Sequence, residues 1–155
     1  MDAASLIGLL KLQSHPEGGH FRETFRSEMD VDGGRRAAST AIWFLLEAGD
    51  FSAWHRVTSD EVWHHYDGGP LALWTLDAEG PRRTVLGRDW GAGERPQAVV
   101  PAGVWQAAEP LGAFALCGCT VAPGFDFADF EMASRGSLEQ AFPAWSEAVR
   151  RFTRT

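Results

Sequence analysis

One stretch of this 155-residue chain concentrates the side chains that move protons or hold metal ions. Between Gly49 and Gly68 stand three of the five histidines (His55, His64 and His65), Glu61, the single tyrosine Tyr66, and the tryptophans Trp54 and Trp63. Imidazole, carboxylate and phenol are the groups that ligate divalent cations or exchange protons near neutral pH, and two adjacent antiparallel strands would bring them together. The usual short motifs for other chemistries are missing: no GxxxxGK[ST] phosphate loop, no GxGxxG, no HExxH and no GxSxG elbow occurs.

The elements that must position this segment are read from hydrophobic periodicity. Ala3–Leu12 places Leu6, Leu9 and Leu10 on one helical face, and the breakers from Gln13 to Gly19 end that helix. From His20 onward the pattern becomes short β-branched and aromatic runs separated by Gly, Pro or Asp: His20–Arg26, Ser39–Leu46, Phe51–Val57, Glu61–Tyr66, Leu71–Leu76, Arg82–Leu86, Ala98–Val100, Trp105–Ala107 and Gly112–Val121. Such spacing predicts an all-β sandwich or barrel rather than alternating βα units. Phe125–Met132 reads as one further strand. Ser137 reads as a helix N-cap, and Leu138–Phe142 and Ala144–Phe152 as two closing helices around Pro143. Asp30–Arg36 is the most polar stretch and is expected to form a mobile surface loop.

Length and composition set the outer bounds. A chain of this size makes one domain, residues 1–155, with a real core. Lys and Arg total 14 against 21 Asp and Glu, a net charge of −7 that argues against nucleic acid or an anionic membrane as partner and favours a small ligand. No apolar run approaches the roughly 20 residues needed to span a bilayer, and Met1–Lys11 lacks a signal-peptide pattern, so a cytoplasmic protein is expected. Cys117 and Cys119, two apart in an apolar run, read as buried small hydrophobes. Seven tryptophans either fill a β-rich core or wall a pocket.

The central segment resembles the first motif of the cupin superfamily, G-x5-H-x-H-x3-E-x6-G, with Gly49, His55, Glu61 and Gly68 in register and Val57 where the second histidine would stand. The second motif, P-x-G-x2-H, is matched by Pro101-Ala102-Gly103-Val104-Trp105-Gln106, with Gln106 replacing the histidine. His15–Ser27, Ser39–Ile42, Ser59–His64 and Val100–Ala108 sharpen the resemblance to the cupin_5 branch, domain of unknown function 985. That resemblance implies a mainly β fold, a double-stranded β-helix (jelly roll) with short terminal helices, together with a ligand cavity and a homodimer.

Through Phe21-Arg22-Glu23-Thr24-Phe25 the branch is also similar to epimerases of the dTDP-4-dehydrorhamnose 3,5-epimerase type, which work without a metal. That similarity implies a sugar or nucleotide sugar as ligand and no cofactor. It would make His55 the base, Tyr66 the acid, Glu61 and His64 further catalytic groups, and Arg22, Glu23, Trp63, Trp105 and Gln106 contacts to substrate. Two other readings stand beside it. A divalent metal could be held by His55, Glu61 and Gln106, with His64 or His65, or the protein could bind a small molecule without altering it. More blandly, His55 and Glu61 could be a buried hydrogen-bonded pair, and His15 and His20 surface residues. Strand alternation adds a constraint: with Glu61 inward, Trp63 and His65 point in, and His64 and Tyr66 point out unless a bulge intervenes.

Overall fold

The computed structural model describes all 155 residues, Met1–Thr155. Helix α1 (Ala3–Leu10), its first turn capped by the Asp2 carboxylate accepting from the Ser5 amide at 2.8 Å, opens the chain. Thirteen strands follow: β1 Gln13–Ser14, β2 His20–Arg26, β3 Asp30–Val31, β4 Arg36–Ala37, β5 Thr40–Glu47, β6 Ser52–Arg56, β7 Asp60–Gly68, β8 Leu71–Asp77, β9 Gly80–Leu86, β10 Gln97–Val100, β11 Trp105–Pro110, β12 Phe114–Ala122 and β13 Glu131–Met132. Helices α2 (Arg135–Ala141) and α3 (Ser146–Arg151) close it.

The strands form a six-stranded sheet in the order β1-β2-β5-β12-β7-β10 and a five-stranded sheet in the order β13-β6-β11-β8-β9, with the β3-β4 hairpin apart. The non-sequential neighbours are those of a jelly roll. Each expected strand from His20 to Val121 is present with ends shifted by no more than a few residues, because period-2 burial is a local signal. Three expectations change. Asp30–Arg36 is an ordered hairpin around a 3-10 turn. Phe125–Met132 is mostly a loop with a 3-10 turn at Phe127–Asp129 and only Glu131–Met132 extended. Ser134, not Ser137, caps α2, its hydroxyl accepting from the Ser137 amide at 3.3 Å.

The inner faces of the two sheets enclose the main core, in which Phe44, Leu46, Trp63, Leu71, Leu73 and Cys117 are buried. Burial pushes the Cys117 thiol up to about 12 and raises Cys119 well above its ordinary value, so both stay protonated, as buried small hydrophobes do. On the outer face of the five-stranded sheet, Trp54, Trp105, Ala107 and Leu76 pack under Leu138, Val149 and Phe152. Helix α1 covers Leu45 and Leu116 on the outer face of the other sheet. No helix is long and apolar enough to cross a membrane.

Candidate functional site

Cross-strand register arranges the inward side chains of the six-stranded sheet in rows. Thr40, Val121 and Glu61 form one row, Ile42, Cys119 and Trp63 the next, and Phe44, Cys117 and His65 the third. The first row and its neighbours open on a cavity of about 300 Å³ that also takes in His15, Glu17 and His55. The third row belongs to the packed interior. Trp63 of the middle row meets Phe44 of the third, ring edge to face at 5.6 Å.

The residue that organises the cavity floor is Glu17, delivered by a tight turn. In His15-Pro16-Glu17-Gly18-Gly19 the His15 carbonyl accepts from the Gly18 amide at 3.0 Å and the His15 amide donates to the Gly19 carbonyl at 2.9 Å. Gly18 has φ +113°, and a Cβ there would fall 2.0 Å from the Phe51 carbonyl oxygen, so only glycine fits. The Ala53 amide then donates to the Glu17 carbonyl at 2.8 Å and ties the turn to β6. Glu17 ends up 5% exposed, its carboxylate 2.9 Å from His55 Nε2.

His55 has no free nitrogen. Its Nδ1–H donates to the Ala53 carbonyl at 2.7 Å, and with Glu17 ionised Nε2 must also carry a proton to bond its carboxylate, so the pair is imidazolium and carboxylate. Burial pushes the His55 pKa down. The Glu17 charge and hydrogen bond, with the Glu61 charge and the Ala53 carbonyl, overcome that and raise it to about 9. Burial would likewise raise Glu17, but the His55 charge and hydrogen bond hold it below the ordinary carboxylate value. The pair is a buried ion pair shielded by Phe130, whose ring stacks on His55 at 5.4 Å.

Glu61 is held from behind. Trp63 Nε1 donates to Gln106 Oε1 at 2.8 Å, and because an indole nitrogen can only donate, the Gln106 amide is oriented with its NH2 toward Glu61 Oε1, also 2.8 Å away. Burial raises the Glu61 pKa, with the nearby His55 charge acting against it. His15, next to Glu17, accepts the Glu17 backbone N–H on Nδ1 at 3.1 Å, which fixes the neutral tautomer with its proton on Nε2. Burial lowers its pKa, in keeping with that tautomer. Phe21 meets the His15 ring at 4.6 Å, and Phe127 and Phe130 pack nearby.

Of the expected site residues, His55, Glu61 and Glu23 line the cavity. Gln106 and Trp63 stand behind Glu61 as supports and touch no open space. Four residues face elsewhere. Arg22 donates to the Leu10 carbonyl at 3.3 Å on the outside of the sheet, where it holds the end of α1. Trp105, one residue from Gln106, alternates to the opposite face and carries the Arg56 guanidinium 4.5 Å above its ring. His64 points outward between Thr120 and Gln97. Tyr66 is 49% exposed on the same outer face, its ring over Gly118, where a Cβ would come within 2.4 Å of the hydroxyl. A bulge does interrupt the β7–β12 register between Leu116 and Cys117, but it falls beyond His65 and leaves the inward set Glu61, Trp63, His65 unchanged. His65 itself donates Nε2–H to the Gly69 carbonyl at 2.8 Å in the packed end.

The surface reading of His15 does not hold, since its side chain is 6% exposed, and His20 is half-buried with Nδ1 enclosed. Glu17 and His15 were legible only as a Pro/Gly-framed turn, a signal that marks a bend without saying which sheet it lands on. Six of the seven tryptophans lie in the core or under the terminal helices, and Trp90 is exposed. The cavity is walled instead by Phe21, Phe125, Phe127 and Phe130.

A metal fits this donor set poorly. Both His55 nitrogens are engaged, the Gln106 oxygen is turned to Trp63, and Val57 occupies the position of a second histidine. No three His, Cys, Asp or Glu side chains are grouped as a ligand set.

A two-sheet jelly roll with a cavity at one end is cupin architecture. The sequence profile of the cupin superfamily family DUF985 (Cupin_5) matches residues 4–133, and the chain belongs to that family. The chain is similar to the uncharacterized protein YML079W of Saccharomyces cerevisiae, 32% identical over 143 residues covering 80% of this chain and 71% of that protein. Among solved structures, protein SO0799 from Shewanella oneidensis superimposes with a TM-score of 0.94 at 38% identity, covering 99% of this chain and 98% of that one. A hypothetical protein from Leishmania major does so with a TM-score of 0.92 at 30% identity over 100% of both chains. Oxalate decarboxylase from Bacillus subtilis shares the fold alone, with a TM-score of 0.59 at 15% identity over 90% of this chain and 36% of that one.

Proposed function

We propose that the cavity is a metal-independent acid–base site that moves a proton next to the carbonyl of a small polar compound, as an isomerase or epimerase acting on a sugar does. The observation that carries this reading is the opening of Glu61 and the Glu17–His55 pair onto one phenylalanine-walled cavity. The pairing changes the role expected of histidine. An imidazolium with a pKa near 9 is no base at neutral pH, so His55 supplies positive charge and Glu61, made more basic by burial, accepts the proton. The carbon–hydrogen electron pair moves into the adjacent carbonyl, the proton goes to the Glu61 carboxylate, and the enolate oxygen is stabilised by the His55 charge and the His15 Nε2–H. Reprotonation of the carbon returns the proton and completes the exchange.

Incubation with uncharged and nucleotide-linked keto-sugars in deuterated water tests the reaction by mass spectrometry. Wild type is expected to introduce one deuterium per exchangeable carbon into whichever of these is its substrate, and Glu61→Gln to slow this by about 10²–10⁴-fold, the usual worth of a positioned base. Ligands that bind but return without deuterium would overturn the catalytic reading in favour of simple binding.

A further inference from the structure

The charges around the cavity restrict what can enter it. Its lining has two cationic side chains, His55 and Arg26, and four carboxyl groups, Glu17, Glu23, Glu61 and Asp126. Both cations are already ion-paired with a carboxylate, Arg26 keeping only Nη1 without a partner. His55 is bound to Glu17 at 2.9 Å. Arg26 forks onto Glu23, Nη2 to Oε1 at 2.6 Å and Nε to Oε2 at 3.3 Å, and Nη2 also donates to the Phe125 carbonyl at 3.0 Å.

Phosphate recognition needs unpaired guanidinium or ammonium groups, or clustered backbone N–H donors such as a long helix N-terminus offers. Neither lines this space. The cations nearby on the outside are also committed, Arg36 to Asp129 and the Gly124 carbonyl, and Arg22 to the Leu10 carbonyl. An anion approaching Arg26 meets Glu23 at nearly the same range, so attraction and repulsion largely cancel. A cavity of about 300 Å³ also lies at the lower end of the roughly 300–1,000 Å³ range of ligand sites, which leaves little room for a nucleotide.

We infer that the cavity selects an uncharged hydroxyl- or carbonyl-bearing ligand over a phosphorylated or nucleotide-linked one, and that Glu23 enforces the selection by occupying Arg26. The inference rests on the reading of this cavity as the ligand site and narrows its substrate class. Glu23 acts here through Arg26, as a specificity-determining residue outside the proton-transfer machinery.

Calorimetric titration of thymidine diphosphate and of inorganic phosphate at low salt tests it, using wild type, Glu23→Gln, Arg26→Gln and the double variant. Both side chains sit at the partly exposed mouth, and matching thermal midpoints establish that the variants are folded. Wild type is expected to show no saturable heat with either anion. Glu23→Gln gains at least tenfold in affinity for thymidine diphosphate, and the double variant loses that gain. Saturable binding of either anion to wild type that Arg26→Gln removes overturns the inference, and so does a Glu23→Gln protein indistinguishable from wild type. The two readings fail separately. Anion binding by wild type leaves proton transfer standing, whereas uncharged ligands that bind without deuterium exchange remove the reaction and leave the charge selection intact.

Discussion

The two ends of the same sandwich are built on the same strands and behave as different materials. On β5 the inward side chains run Thr40, Ile42, Phe44, Leu46, and on β12, in the opposite sense, Ala115, Cys117, Cys119, Val121. At the Leu46–Ala115 end the two sheets meet through leucines and alanines with no open space. At the Thr40–Val121 end they are held apart by side chains bonded to one another: Glu17 to His55, and Trp63 through Gln106 to Glu61. Hydrophobic burial stabilises the first end in proportion to area, without directional demands. The second depends on polar groups that are costly when left unpaired, so it keeps its shape only while every partner is present.

The largest effect is expected at the polar end. Glu17→Gln removes the partner of a buried imidazolium and should cost about 3–5 kcal/mol in urea unfolding, with the His55 pKa, followed by NMR, falling from about 9 because only the Glu61 charge and the Ala53 carbonyl then oppose burial. If His55 still titrates near 9 in that variant, Glu17 is not what holds its charge. The closed end should respond by cavity formation alone. Leu46→Ala is expected to cost about 2–5 kcal/mol, while Ile42→Ala, beside space that already exists, should cost about 1–2 kcal/mol. Equal costs at the two positions would abolish the distinction between the ends.

Acid–base linkage gives the polar end a pH signature. The folded His55 pKa of about 9 lies above the ordinary 6.5, so its contribution is complete below about 6.5 and is lost as pH rises through 9. Glu17, lowered in the fold, contributes above the ordinary carboxylate range and loses that contribution on acidification. The wild-type thermal midpoint should therefore fall between pH 7 and 10, by an amount equivalent to roughly 3 kcal/mol at 1.36 kcal/mol per pKa unit. His55→Gln should flatten that part of the profile, and an unchanged slope would assign it to other groups. The smallest effect belongs to Glu61→Gln. It preserves an acceptor for Gln106 and removes a carboxyl whose ionisation burial disfavours, so stability should change by less than about 1 kcal/mol or rise slightly while the proposed proton exchange slows.

These contrasts show how far local pattern reaches. Alternation along β7 assigned Glu61, Trp63 and His65 to the interior and His64 and Tyr66 to the outside, and the bulge near Tyr66 comes too late to change it. The motif spacing singled out His55 and Glu61, which do line the cavity, and Gln106, which supports it. It also drew in Trp105 and His64, because a motif records neighbours along the chain and a strand sends adjacent side chains to opposite faces. Arg22 was drawn in the same way, one position from Glu23.

The amino-acid sequence by itself determined the strands, their inward and outward faces, the cupin resemblance and two of the residues that line the cavity, all of which rest on spacings within a few residues. Only the tertiary structure decided which end of the sandwich stays open. That choice depends on two distant segments, the His15–Gly19 turn that brings Glu17 under His55 and the Phe125–Phe130 loop that walls the space. It also decided that His55 carries a proton, because the charge of an imidazole is set by whichever carboxylate the fold places beside it, here one 38 positions away in the chain.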